Sequence, residues 1–237
     1  MKKRTALLIC ILTLALLLAG CGGEEKAVSG SVKPLETTVP ETTAPVVEEN
    51  PLSLGRLEGG EYTNEYGGLG GTLNENWEFY SAEELQELPE AVNEALEGSA
   101  IAGEDGMPDQ ITDMMAENLN DLTTMNLLYT KLSMQERLAY AVMTEETLID
   151  ITLEQKDDMI AAYAQMGIEV FSIEKDTVTF LGEERCVLRT EASIEGVPYY
   201  TLQMFDYNLG QYYTTLTLAS YLEDNTDSLL ELWYSLD

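Results

Sequence analysis

The chain contains no histidine. This removes the commonest general base and catalytic zinc ligand, and with them any Ser-His-Asp or Cys-His mechanism assembled within the chain. Cysteine is scarce: Cys10, Cys21 and Cys186 are the only three among 237 residues. Cations are scarce too, with 12 Lys and Arg against 43 Asp and Glu, a formal charge of −31 at pH 7. Such a charge repels phosphate backbones and opposes electrostatic docking on anionic lipid, so nucleic acid is excluded as a partner. The sequence has no Gly-x-Ser-x-Gly, no Walker phosphate loop and no Cys-x-x-Cys. An enzyme is not excluded, because paired carboxylates can work alone.

What is present begins at the N-terminus. Lys2, Lys3 and Arg4 precede an uncharged run from Thr5 to Gly20, which closes as Leu18-Ala19-Gly20-Cys21. The run falls short of the ~20 residues that span a bilayer comfortably, and its basic flank favours the cytoplasmic side. The small-small-Cys ending resembles the lipobox of bacterial lipoproteins. That resemblance implies cleavage before Cys21, which becomes the mature N-terminus and is thioether-linked to diacylglycerol with palmitate-type chains. Dozens of buried methylenes at ~0.8 kcal/mol each would then hold the chain to the outer side of the cell membrane.

Residues 1–20 therefore read as a signal peptide. Without them the chain keeps nine Lys and Arg against 43 acids, a formal charge of −34. Cys10 leaves with the leader and an acylated Cys21 is consumed, so Cys186 has no partner for a disulfide. Lying in Arg185-Cys-Val-Leu-Arg189, a strand-like stretch, Cys186 reads as a buried apolar thiol rather than a nucleophile.

Residues 21–54 are rich in Thr, Pro and Glu, as in Thr37-Thr38-Val39-Pro40-Glu41-Thr42-Thr43-Ala44-Pro45. This composition reads as a disordered tether with a root-mean-square reach of about 30 Å. Residues 55–237 form one domain, long enough to bury a substantial core.

Within that domain, Gly60–Tyr66 and Asn76–Tyr80 read as strands around a glycine-rich turn, Gly67–Gly71. Ser81-Ala-Glu-Glu84 is a capping box that starts a helix running toward Leu96. Asp113–Asn118 and Thr124–Lys131 read as strands. Ser133-Met-Gln-Glu136 is a second capping box, and helical apolar spacing continues through Leu148, Ile151, Met159, Ile160, Tyr163 and Met166 until Gly167. The period then becomes two, giving strands over Thr177–Leu181, Arg185–Ser193, Val197–Asp206 and Gln211–Ser220. A closing helix spans Ser228–Leu236, capped by Asp224–Asp227, with Leu229, Leu232 and Trp233 inward. Glu223, Asp224 and Asp227 lack the alternating spacing of a calcium loop, which favours capping over metal binding.

Tyr62-Thr-Asn-Glu-Tyr66, Trp77-Glu-Phe-Tyr-Ser81, the Asn126–Leu132 strand, Met166-Gly167-Ile168 and the closing hairpin and helix together resemble the PsbP/Mog1-like domains of Gram-positive lipoproteins. Asn74-Glu-Asn76-Trp77 stands where that pattern usually has Pro-x-Gly-Trp. The resemblance implies an α+β fold, an antiparallel sheet of about six strands sandwiched between helices. It supplies no catalytic residue, because such domains act mostly as accessory or scaffold modules.

The reading that follows is a lipid-anchored, extracytoplasmic binding or assembly-accessory module without enzymatic activity, needing no cofactor. Its partners would be the membrane, through Cys21, and an envelope protein. Two alternatives stay open: a cell-surface solute or divalent-cation binder, and a carboxylate-based hydrolase using acids such as Glu104, Asp105 and Asp109. Tyr199, Tyr207, Tyr212 and Tyr213 on the last hairpin read either as an exposed aromatic patch or as cover beneath a packed helix.

Overall fold

The computed structural model describes residues 52–87, 110–206 and 210–236. Its described strands form two antiparallel sheets. The larger runs β4 (Trp77–Phe79), β5 (Gln110–Asn118), β6 (Thr123–Lys131), β10 (Tyr212–Tyr221), β9 (Val197–Asp206), β8 (Glu183–Ile194) and β7 (Ile168–Phe180) in spatial order. The smaller orders β1 (Arg56–Glu58), β2 (Glu61–Asn64), β3 (Leu69–Thr72) and β11 (Trp233–Ser235). Four helices accompany them: α1 (Met134–Tyr140), α2 (Glu145–Glu154), α3 (Lys156–Gln165) and α4 (Thr226–Leu230). A further helical stretch covers residues 82–87. The architecture is α+β, as the sequence predicts, with seven strands in the main sheet.

Period-two patterning on the long strands produces two apolar faces and hence two cores. On one face, Leu148, Ile149, Met159, Ala162 and Tyr163 of α2 and α3 pack over Ile173, Leu188, Tyr199, Phe205 and Tyr213. On the other, Tyr62, Leu73, Leu229 and Trp233 cover Met114, Met125, Leu127, Val187, Leu202, Met204, Leu216 and Leu218. Each such side chain contributes about 1.5–3 kcal/mol by leaving water, so the domain stands without a disulfide. The β9–β10 register sets Leu202 opposite Leu218 and Met204 opposite Leu216, as the alternation predicts. The layer over this second face is the small sheet with α4.

Both capping boxes form. Ser81 N donates to Glu84 Oε2 at 2.8 Å, and Ser133 N to Glu136 Oε2 at 2.7 Å, each with the reciprocal bond to the serine hydroxyl. The helix after Ser81 is described only to residue 87, so its expected course to Leu96 lies outside the described residues.

Four expectations change. The helical run from Ser133 to Gly167 is three helices: Thr144 adopts extended backbone and recaps the chain by accepting from Thr147 N at 3.1 Å, and Gln155, at φ −103° and ψ 15°, separates α2 from α3. β7 begins at Ile168 rather than Thr177: a bulge between Val170 and Ser172 shifts the register and reverses the alternation there. The glycine-rich stretch contains strand β3, and the closing helix is five residues long and gives way to β11. The last two share one cause. Trp233 pairs with Gly71 and Tyr234 with Gly70, and a Cβ on Gly70 would sit 2.4 Å from the Tyr234 ring. The glycines let that ring lie on the strand, and the aromatic pair favours extended backbone over a further helical turn.

Candidate functional site

Two charged grooves flank the β7–β8 hairpin, one on each face of the large sheet. The helix-side groove, about 890 Å³, is bordered by Glu145, Glu146, Lys175, Arg185, Cys186 and Asp206 among others. Helix α2 delivers its acids because Glu145 and Glu146 occupy its first turn, where the helix dipole favours them. Strand alternation puts Lys175 on the same face as Ile173. Its Nζ donates to Asp150 at 2.7 Å and Glu146 at 3.0 Å, and these bonds raise its pKa above the ordinary lysine value.

Arg185 pairs with Glu145, donates to the Phe205 carbonyl at 3.1 Å, and has Asp206 at 3.9 Å. Glu145 Oε2 also accepts from Cys186 N at 3.1 Å. Cys186 is half-buried and free. Burial pushes its thiol pKa up, with Lys175 pulling the other way. The sequence expects a buried apolar thiol; Cys186 packs against the helix-side core and is partly open to the groove. A thiol held protonated is a weak nucleophile.

The opposite groove, about 540 Å³, is lined by Val178, Leu230 and Trp233 with Asp176, Arg189 and Asp227. Arg189 reaches Asp176 Oδ2 with Nε at 2.6 Å, Asp227 Oδ1 with Nη2 at 2.5 Å and Thr226 Oγ1 with Nη1 at 3.1 Å. Asp224 lies 3.8 Å away. Three carboxylates on one guanidinium fasten the α4 turn to the hairpin, and the bond from Arg189 holds the Asp176 carboxyl below its usual range. Thr226 donates both its backbone N–H and its hydroxyl to Asp224 Oδ1, so the expected capping by this acidic run takes the form of a turn at the helix start.

A third cluster is buried between the sheets. Asp113, in the β5 bulge between Thr112 and Met114, accepts from Gly55 N at 2.8 Å, from Tyr62 Oη at 2.5 Å and from Asn64 Nδ2. Asn64 Nδ2 also donates to Tyr129 Oη at 2.8 Å, and Asn64 Oδ1 accepts from Gly67 N at 2.6 Å. Burial raises the Asp113 pKa against the lowering effect of its three donors. Burial likewise raises Tyr62 and Tyr129, with the Asp113 charge adding to each.

Cys21, Glu104, Asp105, Asp109 and Tyr207 lie outside the described residues. Of Glu223, Asp224 and Asp227, the two aspartates serve Arg189, and among the described residues no group of three acids or cysteines is placed to hold a metal ion. Of the two readings of the hairpin tyrosines, cover beneath packed helices holds for Tyr199 and Tyr213. Tyr199 and Tyr213 are buried in the helix-side core, Tyr213 stacked on Tyr140 and Phe205, while Tyr212 turns to the other face beside Tyr66 and Tyr129. Neighbouring tyrosines on a strand face opposite ways, so 212 and 213 cannot share a patch. Arg189 and Asp113 were not singled out from the sequence. The available signals were a cation among 43 acids and a carboxylate beside the apolar run Met114-Met115-Ala116.

The fold defines an α+β protein of two antiparallel sheets with helices over one face. No family model matches the chain, and no curated protein matches it. Among solved structures it is similar to the solution structure of cyanobacterial PsbP (CyanoP) from Synechocystis sp. PCC 6803. The two share 10% identity over 79% of this chain and 95% of that one, with a TM-score of 0.40. No residue role or activity is carried across on a likeness of that size.

Proposed function

We propose that the chain is a lipid-anchored extracytoplasmic module that binds or assembles an envelope partner and performs no catalysis. The observation that carries the reading is the Lys2-Lys3-Arg4 flank, the uncharged run and the Leu18-Ala19-Gly20-Cys21 ending. The domain supports it through its charged side chains. Lys175, Arg185 and Arg189 are engaged by carboxylates of the chain itself, and the Cys186 thiol is held protonated. Chemistry of this kind stabilises a scaffold; it does not activate a nucleophile or a water.

The test is fractionation of the full chain expressed in a bacterial host. Wild type should sediment with membranes, dissolve in detergent and lose the mass of residues 1–20. Cys21→Ala should retain the leader and carry no lipid. Cross-linking on intact cells should then recover an envelope protein with wild type. Wild type recovered in the soluble fraction, or an unmodified Cys21, refutes the proposal.

A further inference from the structure

The three most exposed large apolar side chains among the described residues belong to α1 and the turn after it. Met134 is 69% exposed, Leu138 68% and Val142 84%. At a spacing of four residues they share one side of the helix, and the αR backbone of Ala141 carries the row on to Val142. Tyr140 points the other way and stacks on Tyr213 in the helix-side core. Single exposed apolar residues need no explanation, but three aligned on one short helix form a stripe that calls for a cover.

The charges around this stripe differ from those of the rest of the surface. Of the cations in the described residues, Lys156 is taken by the Ile173 carbonyl, and Lys175, Arg185 and Arg189 by carboxylates. Arg56, Lys131 and Arg137 form no ion pair among the described residues. Two of those three flank the stripe. The acids nearest to it along the chain are engaged: Glu136 closes the α1 capping box, Glu145 holds Arg185 and Glu146 holds Lys175.

The chain also enters the domain close by. Gly55 N donates to Asp113, which lies beside Leu127 and Leu128 in the β5–β6 register, toward the Lys131 end of β6. Helix α1 follows β6 directly, so residues 21–54 and the stripe meet the domain at the same end of that strand. The composition of residues 21–54 gives a root-mean-square reach of about 30 Å. A surface at the far end of that reach is met at an effective concentration in the millimolar range, so a small contact suffices.

We propose that this face of α1 docks on the lipid bilayer to which Cys21 tethers the chain, an inference that rests on the anchored reading above. Met134, Leu138 and Val142 enter the boundary between headgroups and acyl chains, and Lys131 and Arg137 meet the headgroup phosphates. The contact is apolar first, and the acidic remainder of the surface selects the orientation by staying in water. A second copy of the chain is a poorer cover, since it brings the same large negative charge to the interface.

Hydroxyl-radical footprinting tests this on the full chain, purified with its anchor and sparsely reconstituted on phosphatidylcholine vesicles. Each side chain is read against the same residue in the urea-unfolded chain. Leu119 and Phe171, 60% and 58% exposed at the opposite end of the large sheet, serve as internal standards. Met134 and Leu138 should be labelled about fivefold more slowly than the standards, as for a weak contact met at millimolar effective concentration. Leu138→Glu with Val142→Glu should return Met134 to the level of the standards and leave the melting temperature unchanged. Wild-type Met134 and Leu138 labelled like the standards, in a chain that carries lipid and floats with the vesicles, overturn docking and leave anchoring intact. A chain that carries no lipid overturns both. Protection that fades as the chain is diluted over the vesicle surface makes a second copy the occupant and also overturns the proposal. Should the double variant fail to fold, the wild type against its internal standards still decides.

Discussion

Replacing Arg189 by alanine tests how the acidic surface is made compatible with a compact domain. Its side chain is 23% exposed, while the partner acids Asp176 and Asp227 are 49% and 71% exposed. Loss of a fully buried pair would cost about 3–5 kcal/mol, but these acids are wet, so each close pair contributes about 0.5 kcal/mol. The bond to Thr226, a residue with no exposed surface, adds about 1 kcal/mol. The expected loss is therefore about 2 kcal/mol. In urea, with a slope of about 2 kcal/mol/M, the midpoint falls by about 1 M. The loss should shrink in high salt, which screens the three acids left facing one another. It should also shrink as pH falls below about 4, because Asp176, whose pKa Arg189 depresses, contributes its stability above that range and loses it on protonation. Arg189→Lys should recover about half, since one ammonium cannot reach Asp176, Asp227 and Thr226 together. A loss below about 0.5 kcal/mol, or one indifferent to salt, would refute the assignment.

Two further outcomes are expected. The Tyr163 hydroxyl is buried without a hydrogen-bond partner and burial raises its pKa, so Tyr163→Phe should stabilise the domain by about 1 kcal/mol. A melting temperature that falls instead would show that the hydroxyl is needed. Gly70→Ala would force its Cβ against the Tyr234 ring and should lower stability by about 1–3 kcal/mol, read by thermal melting. A Gly70→Ala, Tyr234→Ala double variant should lose less than the two single losses combined, because the clash disappears with the ring.

The sequence is most legible where one local rule decides. Strict alternation in β8, β9 and β10 gives their register, and the capping boxes at Ser81 and Ser133 fix two helix starts. It is least legible where tertiary pairing overrides local preference. Trp233 and Tyr234 sit at helical spacing from Leu229 and Leu230, yet they become a strand because Gly70 and Gly71 offer a flat surface far away in sequence. The bulge at Phe171 hides the first half of β7, since one extra residue turns alternation into noise. Cluster chemistry was hidden for a related reason. Arg189 collects Asp176, Asp224 and Asp227 across as many as 38 positions, and Asp113 collects Gly55 across 58. No spacing rule reaches that far. Cys21 is the reverse case: its reading is wholly local and owes nothing to the fold.

The most direct test of the account is the mass of the N-terminal peptide from the purified full-length product. The account predicts a peptide beginning at Cys21 and heavier by a diacylglyceryl group. A peptide that begins elsewhere, or a Cys21 with its thiol free in a protein recovered from the soluble fraction, would contradict it.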